Sequence, residues 1–375
     1  MFKMGDEIAI IGLGGMGTTI LNFLSRTPGI KKIVVADLDE ARGRATTDIA
    51  TYGASQEGFY PSIRFVKTNL YDVDGTAEML ADIQPAVICH AATLAAWWAR
   101  YSLPEAERRI YSEIVAINVP FYTALLYKLM QAVKKAGIKT HVVNCSYCDV
   151  VNPLLGKVGL APTIGGGNVQ NRIPRIKKIV SEKLKVPMRN VDVLLVAEHS
   201  WTEHPTVAPF WIKIIAEGDD VTDKFPKDKL MIQMQALDEV RHGPFTGVEN
   251  KYAVQDIASA FLSNMLAIYF DTGAVTSAPG PTGMIGGYPV RLSRKGAELA
   301  LPAEITMKEA VKINEEGARL EGVEQIKNGG TLVYTEKAHN AMRKLGLDWK
   351  EFSIEESEEK IQKIKLFFKS RGIEW

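Results

Sequence analysis

The chain has 375 residues, of which 46% are hydrophobic and 24% are charged, and its formal net charge is +1. This length allows a sizeable core divided between two domains, and the balanced charge gives no sign of a nucleic-acid-binding surface. No apolar run reaches the roughly 18 residues that cross a bilayer, no signal-peptide pattern opens the chain, and cysteines are few. We therefore expect a cytoplasmic protein that binds neither nucleic acid nor membrane.

A glycine-rich turn near the N-terminus predicts a dinucleotide site. The apolar strand Glu7–Ile11 runs directly into the sequence GLGGMG, and a helix over Thr18–Leu24 follows. The glycines of a G-x-G-x-x-G turn let the backbone approach a pyrophosphate, whose charge meets the N-terminus of the helix. The residues expected to contact the cofactor are Gly12, Gly14, Gly15, Met16 and Gly17.

A second apolar strand, Lys32–Ala36, ends at Asp37, about 20 residues past the last glycine, as the dinucleotide fingerprint requires. A carboxylate at this point accepts hydrogen bonds from the adenosine ribose hydroxyls and repels a 2′-phosphate. The sequence therefore predicts NAD rather than NADP as the cofactor. A glycine-rich turn that binds no nucleotide stays open as the alternative.

Strands and helices continue to alternate through the first half of the chain. Further strands are predicted at Ser62–Thr68, Ala86–Ala91 and His141–Cys145. Helices are predicted at Thr76–Asp82 and over Ile110–Gly137, the second with a kink or a break at Pro120. This βαβα alternation is typical of a doubly wound parallel sheet. Residues 1–150 are thus predicted to form an α/β nucleotide-binding domain of the Rossmann type.

The segment Thr93–Arg109 breaks this alternation, because it contains two adjacent tryptophans, a proline and three arginines. A loop of this length after a strand is usually a lid or a binding loop. An amphipathic helix that places Trp97 and Trp98 on the core is an equal alternative.

The second domain, residues 151–328, opens on the stretch Ile164–Ser200. This stretch holds a glycine cluster, a basic helix with Pro174 at an early position, a strand over Val191–Val196 and then Glu198 and His199. Polar residues at the end of a strand are candidates for function. Other helices are predicted at Pro226–His242, Tyr252–Tyr269 and Met307–Gly322, turns over Gly273–Gly287, short strands at Pro289–Leu292 and Ala300–Pro302, and amphipathic helices in a charged extension over residues 329–375.

In their order, these elements resemble the L-lactate and malate dehydrogenase family. The segments similar to the family are the glycine turn with Asp37, Ala116–Val119, Val142–Asn144, Ile164–Gly167, Arg175 with Ser181–Leu184, Glu198–Ser200 and Tyr288–Gly296. The resemblance implies an α+β substrate domain behind the Rossmann domain. It also implies an NAD-dependent oxidoreductase of a 2-hydroxy or 2-oxo acid, a small carboxylate substrate, and a homodimer or homotetramer.

The family's roles pass to this chain where the residues match. His199 is expected to exchange a proton with the substrate oxygen, as an imidazole can near neutral pH. Arg175 is expected to hold the substrate carboxylate with its guanidinium fork. Asn118 and Asn144 are expected to position the substrate and the nicotinamide. A satisfied surface histidine and a solvated arginine remain the alternatives for the first two.

The chain departs from the family at two catalytic positions. The family has an aspartate three residues before the matching arginine, where this chain has Arg172, or Asn171 if the alignment shifts by one residue. Asn171 could hold one tautomer of His199 but could not stabilise the imidazolium by charge, so we expect a low pKa for that histidine. The arginine that polarises the substrate carbonyl is expected in the Thr93–Arg109 segment, where Arg100, Arg108 and Arg109 are candidates and Arg109 is the one assigned.

Two alternative functions stay open. The first is an NAD- and metal-dependent glycoside hydrolase, which shares the two-domain plan and uses a transient hydride transfer at a sugar carbon. Residues that could in principle supply its metal ligands are Cys145, Cys148, His199, His204 and His242. Their spacing matches no standard metal template, so no metal site is assigned. The second alternative is a protein that binds NAD but has lost its chemistry.

Overall fold

The protein is described by a computed structural model for residues 5–95, 97–242 and 253–373. A six-stranded parallel sheet in the order β3-β2-β1-β4-β5-β6 forms the first domain. Its strands are β1 (Glu7–Ile11), β2 (Lys32–Asp37), β3 (Ser62–Lys67), β4 (Val87–His90), β5 (His141–Asn144) and β6 (Ile164–Gly165). The predicted doubly wound sheet is confirmed, and its sixth strand lies beyond the predicted domain boundary at residue 150.

Both faces of this sheet are buried. Because successive residues of a strand point to opposite faces, Ile8 and Ile10 enter one core cluster and Ala9 and Ile11 enter the other. The first six helices are α1 (Gly15–Leu24), α2 (Glu40–Gln56), α3 (Val73–Ile83), α4 (Glu105–Ser112), α5 (Val119–Ala136) and α6 (Cys148–Gly156). Pro120 lies in the first turn of α5, so the helix predicted over Ile110–Gly137 is broken there, which was one of the two expectations for this proline.

A short 3₁₀ helix over Trp97–Ser102 precedes α4, so the segment after β4 is mostly helical. The side chains of both tryptophans lie outside the described residues. No single helix in the described ranges is long and apolar enough to span a membrane, and only α4 together with Val115–Ala136, bent by 93°, passes the length and composition test as a pair.

The second domain is built on an antiparallel sheet in the order β10-β11-β7-β8-β9, with β12 paired to β11. Its strands are β7 (Val191–Ala197), β8 (Phe210–Ala216), β9 (Asp219–Asp220), β10 (Ala274–Pro279), β11 (Gly287–Ser293) and β12 (Gly296–Leu299). Its helices are α7 (Ile173–Leu184), α8 (Ser200–Glu203), α9 (Lys227–His242), α10 (Ala253–Tyr269) and α11 (Met307–Leu320).

Two local predictions in this domain are wrong, one of them only in part. The turns predicted over Gly273–Gly287 are present at 280–286, but β10 occupies 274–279 because its six residues pair with β11, and this pairing overrides local turn preference. A strand was predicted at Ala300–Pro302, whereas β12 ends one residue earlier, at Leu299.

The C-terminal extension is not purely helical. It contains a three-stranded antiparallel sheet, β13 (Val323–Lys327), β14 (Thr331–Tyr334) and β15 (Glu351–Ser353), with helices α12 (Glu336–Lys344) and α13 (Ser357–Lys369). The sheet begins before residue 329, where the extension was predicted to start. Phe367 and Phe368 of α13 belong to the same core cluster as α3 and α5. The extension therefore packs onto the first domain.

Candidate active site

The glycine turn after β1 has the shape that a dinucleotide requires. Gly12 has a φ of 97°, and a Cβ there would lie 2.6 Å from the Ala92 amide nitrogen. A Cβ on Gly17 would lie 1.9 Å from the Gly12 carbonyl oxygen, whereas nothing lies within 4 Å of the Cβ positions of Gly14 and Gly15. The outer glycines thus close the turn onto the sheet and the inner two keep its outer face open. Met16 follows in the first turn of α1, where the N-terminal amides favour an anion.

Asp37 lies at the carboxyl end of β2 and holds the turn. Its carboxylate accepts hydrogen bonds from the Leu13 amide at 2.6 Å, from the Asp39 amide at 2.9 Å and from the Arg42 guanidinium at 2.8 Å. Burial alone would raise the pKa of Asp37, but the two backbone amides and Arg42 lower it below its ordinary value. The side chain is therefore an anion bound to the tip of the turn.

The two asparagines have different surroundings. Asn144 is fully buried, and its amide donates to the Ser146 carbonyl and to Asn152 Oδ1, both at 2.9 Å. This side chain shapes the turn after β5. Asn118 is half-buried at the end of a 3₁₀ turn, and its Oδ1 accepts a 2.6 Å hydrogen bond from the Tyr111 hydroxyl.

His199 follows β7 and is held by a carboxylate from the other end of the domain. Its Nδ1 lies 2.5 Å from Oε1 of Glu321, the residue that ends α11. The other oxygen of Glu321 accepts a 2.5 Å hydrogen bond from the Tyr147 hydroxyl. The Tyr147 ring meets the imidazole edge-on at 5.4 Å between ring centroids. Three elements far apart in sequence thus meet at one buried carboxylate.

The partner that the sequence suggested for His199 is wrong. Arg172 donates instead to the Thr202 carbonyl at 2.6 Å, and the side-chain oxygen of Asn171 is buried without a hydrogen-bond partner among the described residues. The expected low pKa of His199 is also wrong. Burial would lower that pKa, but the charge and hydrogen bond of Glu321 raise it to about 10, so the imidazolium form prevails at neutral pH.

Sequence reasoning missed both Glu321 and Tyr147. Glu321 is one of several glutamates in a helix, and its signal is only that Gly322, with a φ of 101°, follows it at the helix end. Tyr147 has the strained left-handed conformation, with a φ of 40° and a ψ of 52°, directly before α6. Strain of this kind in a bulky residue often marks a functional site.

Two further buried acids surround this centre. Burial raises the pKa of Asp149 to about 6, and the nearby imidazolium of His199 limits that rise. Burial, together with the charges of Glu321 and Asp149, raises the pKa of Glu198 well above its ordinary value. One oxygen of each acid is buried without a hydrogen-bond partner among the described residues. Burial thus favours the protonated form of these two acids, whereas the charge of Glu321 favours the protonated form of His199.

The candidate arginines differ in their surroundings. Arg175 is 13% exposed and forms a 2.9 Å ion pair with Asp256 of α10. Arg109, assigned to polarise the carbonyl, lies on the solvent side of α4 with 76% of its side chain exposed and pairs with Glu105 one turn earlier. Arg100 is half-buried, and its charge opposes the rise that burial causes in the pKa of Tyr122. Tyr122 in turn packs edge-on against Tyr147 at 6.3 Å.

The thiols and histidines considered as metal ligands form no such group. Within the described ranges, no cluster of three or more His, Cys, Asp or Glu side chains has the arrangement of a metal site. Cys148 is buried and donates to the Gly166 carbonyl, while Cys89 and Cys145 lie 3.5 Å apart between their sulfur atoms. The side chain of His242 lies outside the described residues.

Comparison with known proteins agrees with this architecture, although no family model matches the chain. The chain is 22% identical to L-lactate dehydrogenase of Mycoplasma genitalium over 321 residues, which cover 82% of this chain and 94% of that enzyme. The fold is similar to a lactate dehydrogenase from a Medee basin deep-sea metagenome library, with a TM-score of 0.59 at 12% identity over 85% of this chain and 97% of that one. It is also similar to lactate dehydrogenase of Eimeria maxima with NADH and oxamate, with a TM-score of 0.58 at 14% identity over 85% and 92%. The chain therefore has the fold of the lactate and malate dehydrogenases, and the expected resemblance is confirmed.

Proposed function

We propose that this protein is an NAD-dependent oxidoreductase that transfers a hydride between the nicotinamide and a 2-hydroxy or 2-oxo acid. The observation that carries the proposal is the His199–Glu321 pair. This pair supplies the acid/base that the reaction needs, in a fold of the dehydrogenase type that also has a nucleotide-type turn. An imidazole held at one nitrogen by a carboxylate is oriented to exchange a proton at the other.

The residues of the first domain fit NAD. The open face of the glycine turn has room for a pyrophosphate, and the anionic Asp37 beside it suits the ribose hydroxyls. When bound, NAD supplies the hydride donor or acceptor. Asn118 is proposed to position the ligand with its amide, because the Asn144 amide is engaged in the turn after β5.

In the second domain, His199 holds the transferred proton at Nε2, because Nδ1 faces Glu321. Glu321 fixes the ring and stabilises its charged form. When a 2-oxo acid is reduced, the imidazolium gives its proton to the developing alkoxide, and in the reverse direction the neutral ring accepts it.

Two arginines complete the proposal. Arg175 is proposed to bind the substrate carboxylate, for which it must share its guanidinium with Asp256. Arg100 replaces Arg109 as the residue proposed to polarise the substrate carbonyl, because its charge acts on Tyr122, whose ring packs against Tyr147 beside His199. The exposed Arg109 already pairs with Glu105.

The test is an assay of the full chain with NADH and a panel of 2-oxo acids of increasing size, followed by the reverse reaction with NAD and the matching hydroxy acids. We expect NADH consumption with at least one acid and none with the corresponding aldehydes, which lack the carboxylate for Arg175. Metal-dependent hydrolysis of a nitrophenyl glycoside would favour the hydrolase instead. NADH binding without any turnover would indicate a protein that has lost its chemistry. A homo-oligomer and a cytoplasmic location stay predictions.

A further inference from the structure

Tyr111 contacts one of the proposed ligand-binding residues from the buried side. This tyrosine, near the end of α4, is 2% exposed, and its hydroxyl donates to Asn118 Oδ1 at 2.6 Å. This short bond engages the oxygen of the Asn118 amide with a buried phenol and leaves the NH₂ group of the amide uncommitted among the described residues. The Asn118 NH₂ group is therefore the side of the amide left for a ligand.

Residues of the C-terminal extension pack against the Tyr111 ring. The Tyr111 ring stacks on Phe367 at 6.3 Å with an interplanar angle of 12°, and it meets Phe368 edge-on at 5.5 Å. One turn earlier on α4, Glu107 accepts two hydrogen bonds from Arg371, at 2.8 and 2.9 Å. Helix α13 thus holds the Tyr111 ring, and Arg371, two residues past the end of α13, holds Glu107 of the same helix α4. The phenol hydroxyl therefore has little freedom to leave Asn118.

We propose that Tyr111 is a positioning residue that fixes the Asn118 amide with its NH₂ group toward the substrate, and that α13 serves the active site by holding Tyr111 in place. The proposal rests on the function proposed above. It makes the extension a part of the site although no residue of α13 is proposed to touch the ligand. Without the hydroxyl, the amide could present its oxygen in place of its NH₂ group.

A second buried tyrosine provides a matched control. Tyr334 is 1% exposed in the same core, and its hydroxyl donates to the Ala116 carbonyl at 3.4 Å. Tyr334→Phe removes a phenol hydroxyl from the same packing environment but leaves the Asn118 side chain untouched. Both substitutions keep the aromatic ring, so any loss of packing is similar in the two variants.

The test is a double-mutant cycle with the full-length enzyme, NADH and the best 2-oxo acid. We expect Tyr111→Phe to lower kcat/KM about 10-fold and Tyr334→Phe to change it less than about 2-fold, as the loss of one specific hydrogen bond implies. If Tyr111 acts through Asn118, then Tyr111→Phe should cause no further loss in an Asn118→Ala background. The melting temperature of both tyrosine variants should show that they stay folded under the assay conditions.

Equal kinetic effects of the two tyrosine variants, or additive effects of Tyr111→Phe and Asn118→Ala, would overturn the role of Tyr111 and leave the proposed function intact. The opposite case is also distinguishable. If the wild-type protein binds NADH but turns over no acid of the panel, the proposed function fails, and the assignment of Tyr111 fails with it.

Discussion

The turn after β1 and the centre around His199 differ in the sequence separation of the residues that form their contacts. In the turn, the Leu13 amide meets Asp37 across 24 residues, and the glycines act through backbone shape alone. Around His199, the bond to Glu321 spans 122 residues, and the bond from Tyr147 to Glu321 spans 174. The first region is a local turn with one long-range anchor, and the second exists only where three distant elements meet.

The cofactor binding and the proton transfer that we propose therefore depend on separate parts of the protein. The turn depends on backbone that the first sheet holds, whereas the imidazole depends on a carboxylate at the far end of α11. Changes in one region should therefore leave the other intact. The predictions that follow test this separation, beginning with the largest expected effect.

Replacement of His199 should abolish most of the chemistry and none of the cofactor binding. His199→Asn removes the proton donor, so we expect kcat for 2-oxo acid reduction to fall by about 10²–10⁴. The affinity for NADH, measured by fluorescence titration, should stay unchanged because the glycine turn is untouched. Near-normal turnover at saturating NADH would remove His199 from the mechanism.

Substitutions of Arg100 and Arg109 should have very different effects on kcat. Arg100→Leu is expected to lower kcat by about 10²–10³, the usual effect of removing one group that stabilises developing charge on a substrate oxygen. Arg109→Leu, on the exposed face of α4, should change kcat by less than about 2-fold. The comparison requires both variants in one assay, with NADH affinity as a control. A larger loss in the Arg109 variant would restore the sequence-based assignment.

The Glu321 carboxylate should control the pH range of the reaction. Reduction needs the imidazolium, so the wild type should keep its activity until the pH approaches the His199 pKa of about 10. Glu321→Gln keeps a hydrogen-bond acceptor but removes the charge. The alkaline limb of the pH–kcat profile should therefore shift to lower pH by about 1–3 pH units. An unshifted pH–kcat profile in this variant would show that the pair does not act on the reacting proton.

The same pair should influence stability, with a defined sign. The folded-state pKa of His199 lies above its ordinary value of 6.5, so the stabilising contribution is complete below that pH and is lost as the pH rises through about 10. Denaturant unfolding of the wild type and of Glu321→Gln should therefore differ most at and below neutral pH and converge in alkali.

Substitution of Asp37 should affect the cofactor alone. Asp37→Ser removes the anion that faces the ribose and releases the Leu13 amide, so NAD affinity should fall by about 10-fold and the preference over NADP should narrow. Asp39→Ser is the matched control, because Asp39 caps α2 through the Arg42 amide and serine also caps helices well. Tighter binding of NADP than NAD by the wild type would contradict this role of Asp37.

The smallest effect is expected at Asp256, which pairs with the guanidinium proposed to bind substrate. Asp256→Asn removes a competing carboxylate, so KM for the 2-oxo acid should fall by up to about 5-fold, the scale of a partly exposed ion pair. The value of kcat should change little. An increase in KM would indicate that Asp256 binds a cationic group of a larger substrate.

The sequence predicted the parts of the site whose signals lie close together along the chain. The glycine turn, β2 with Asp37, and His199 at the end of β7 are such parts. The partner of His199 was not predictable. A count of positions along the sequence places the expected partner three residues before Arg175, whereas the residue that contacts His199 in the fold is Glu321, at the end of α11. The assignment of Arg109 stays a prediction, but Glu105, four residues earlier, already indicates a solvent-facing helix pair.

The extension was misread for a related reason. Strand β13 alternates poorly, with exposed residues at three of its five positions, and β15 has only three residues, so neither shows the pattern of a strand. Their pairing with β14 and the packing of α13 on the first domain supply the stability that the local sequence lacks. Such tertiary contacts leave no periodic signal in one sequence.

The position of Glu321 near the C-terminal end of the chain also has a consequence for the order in which the parts of the protein fold. The ends of a long loop meet later and at a higher entropic cost than those of a short one, and chains fold from the N-terminus as they are synthesised. Strands β1 and β2 with the turn between them can form before α11 has been synthesised. The growing chain should therefore bind the nucleotide before the His199–Glu321 pair has formed. Refolding from denaturant offers a direct view, because NADH fluorescence should recover ahead of enzymatic activity. Simultaneous recovery would mean that the nucleotide site, too, waits for the last helices to dock.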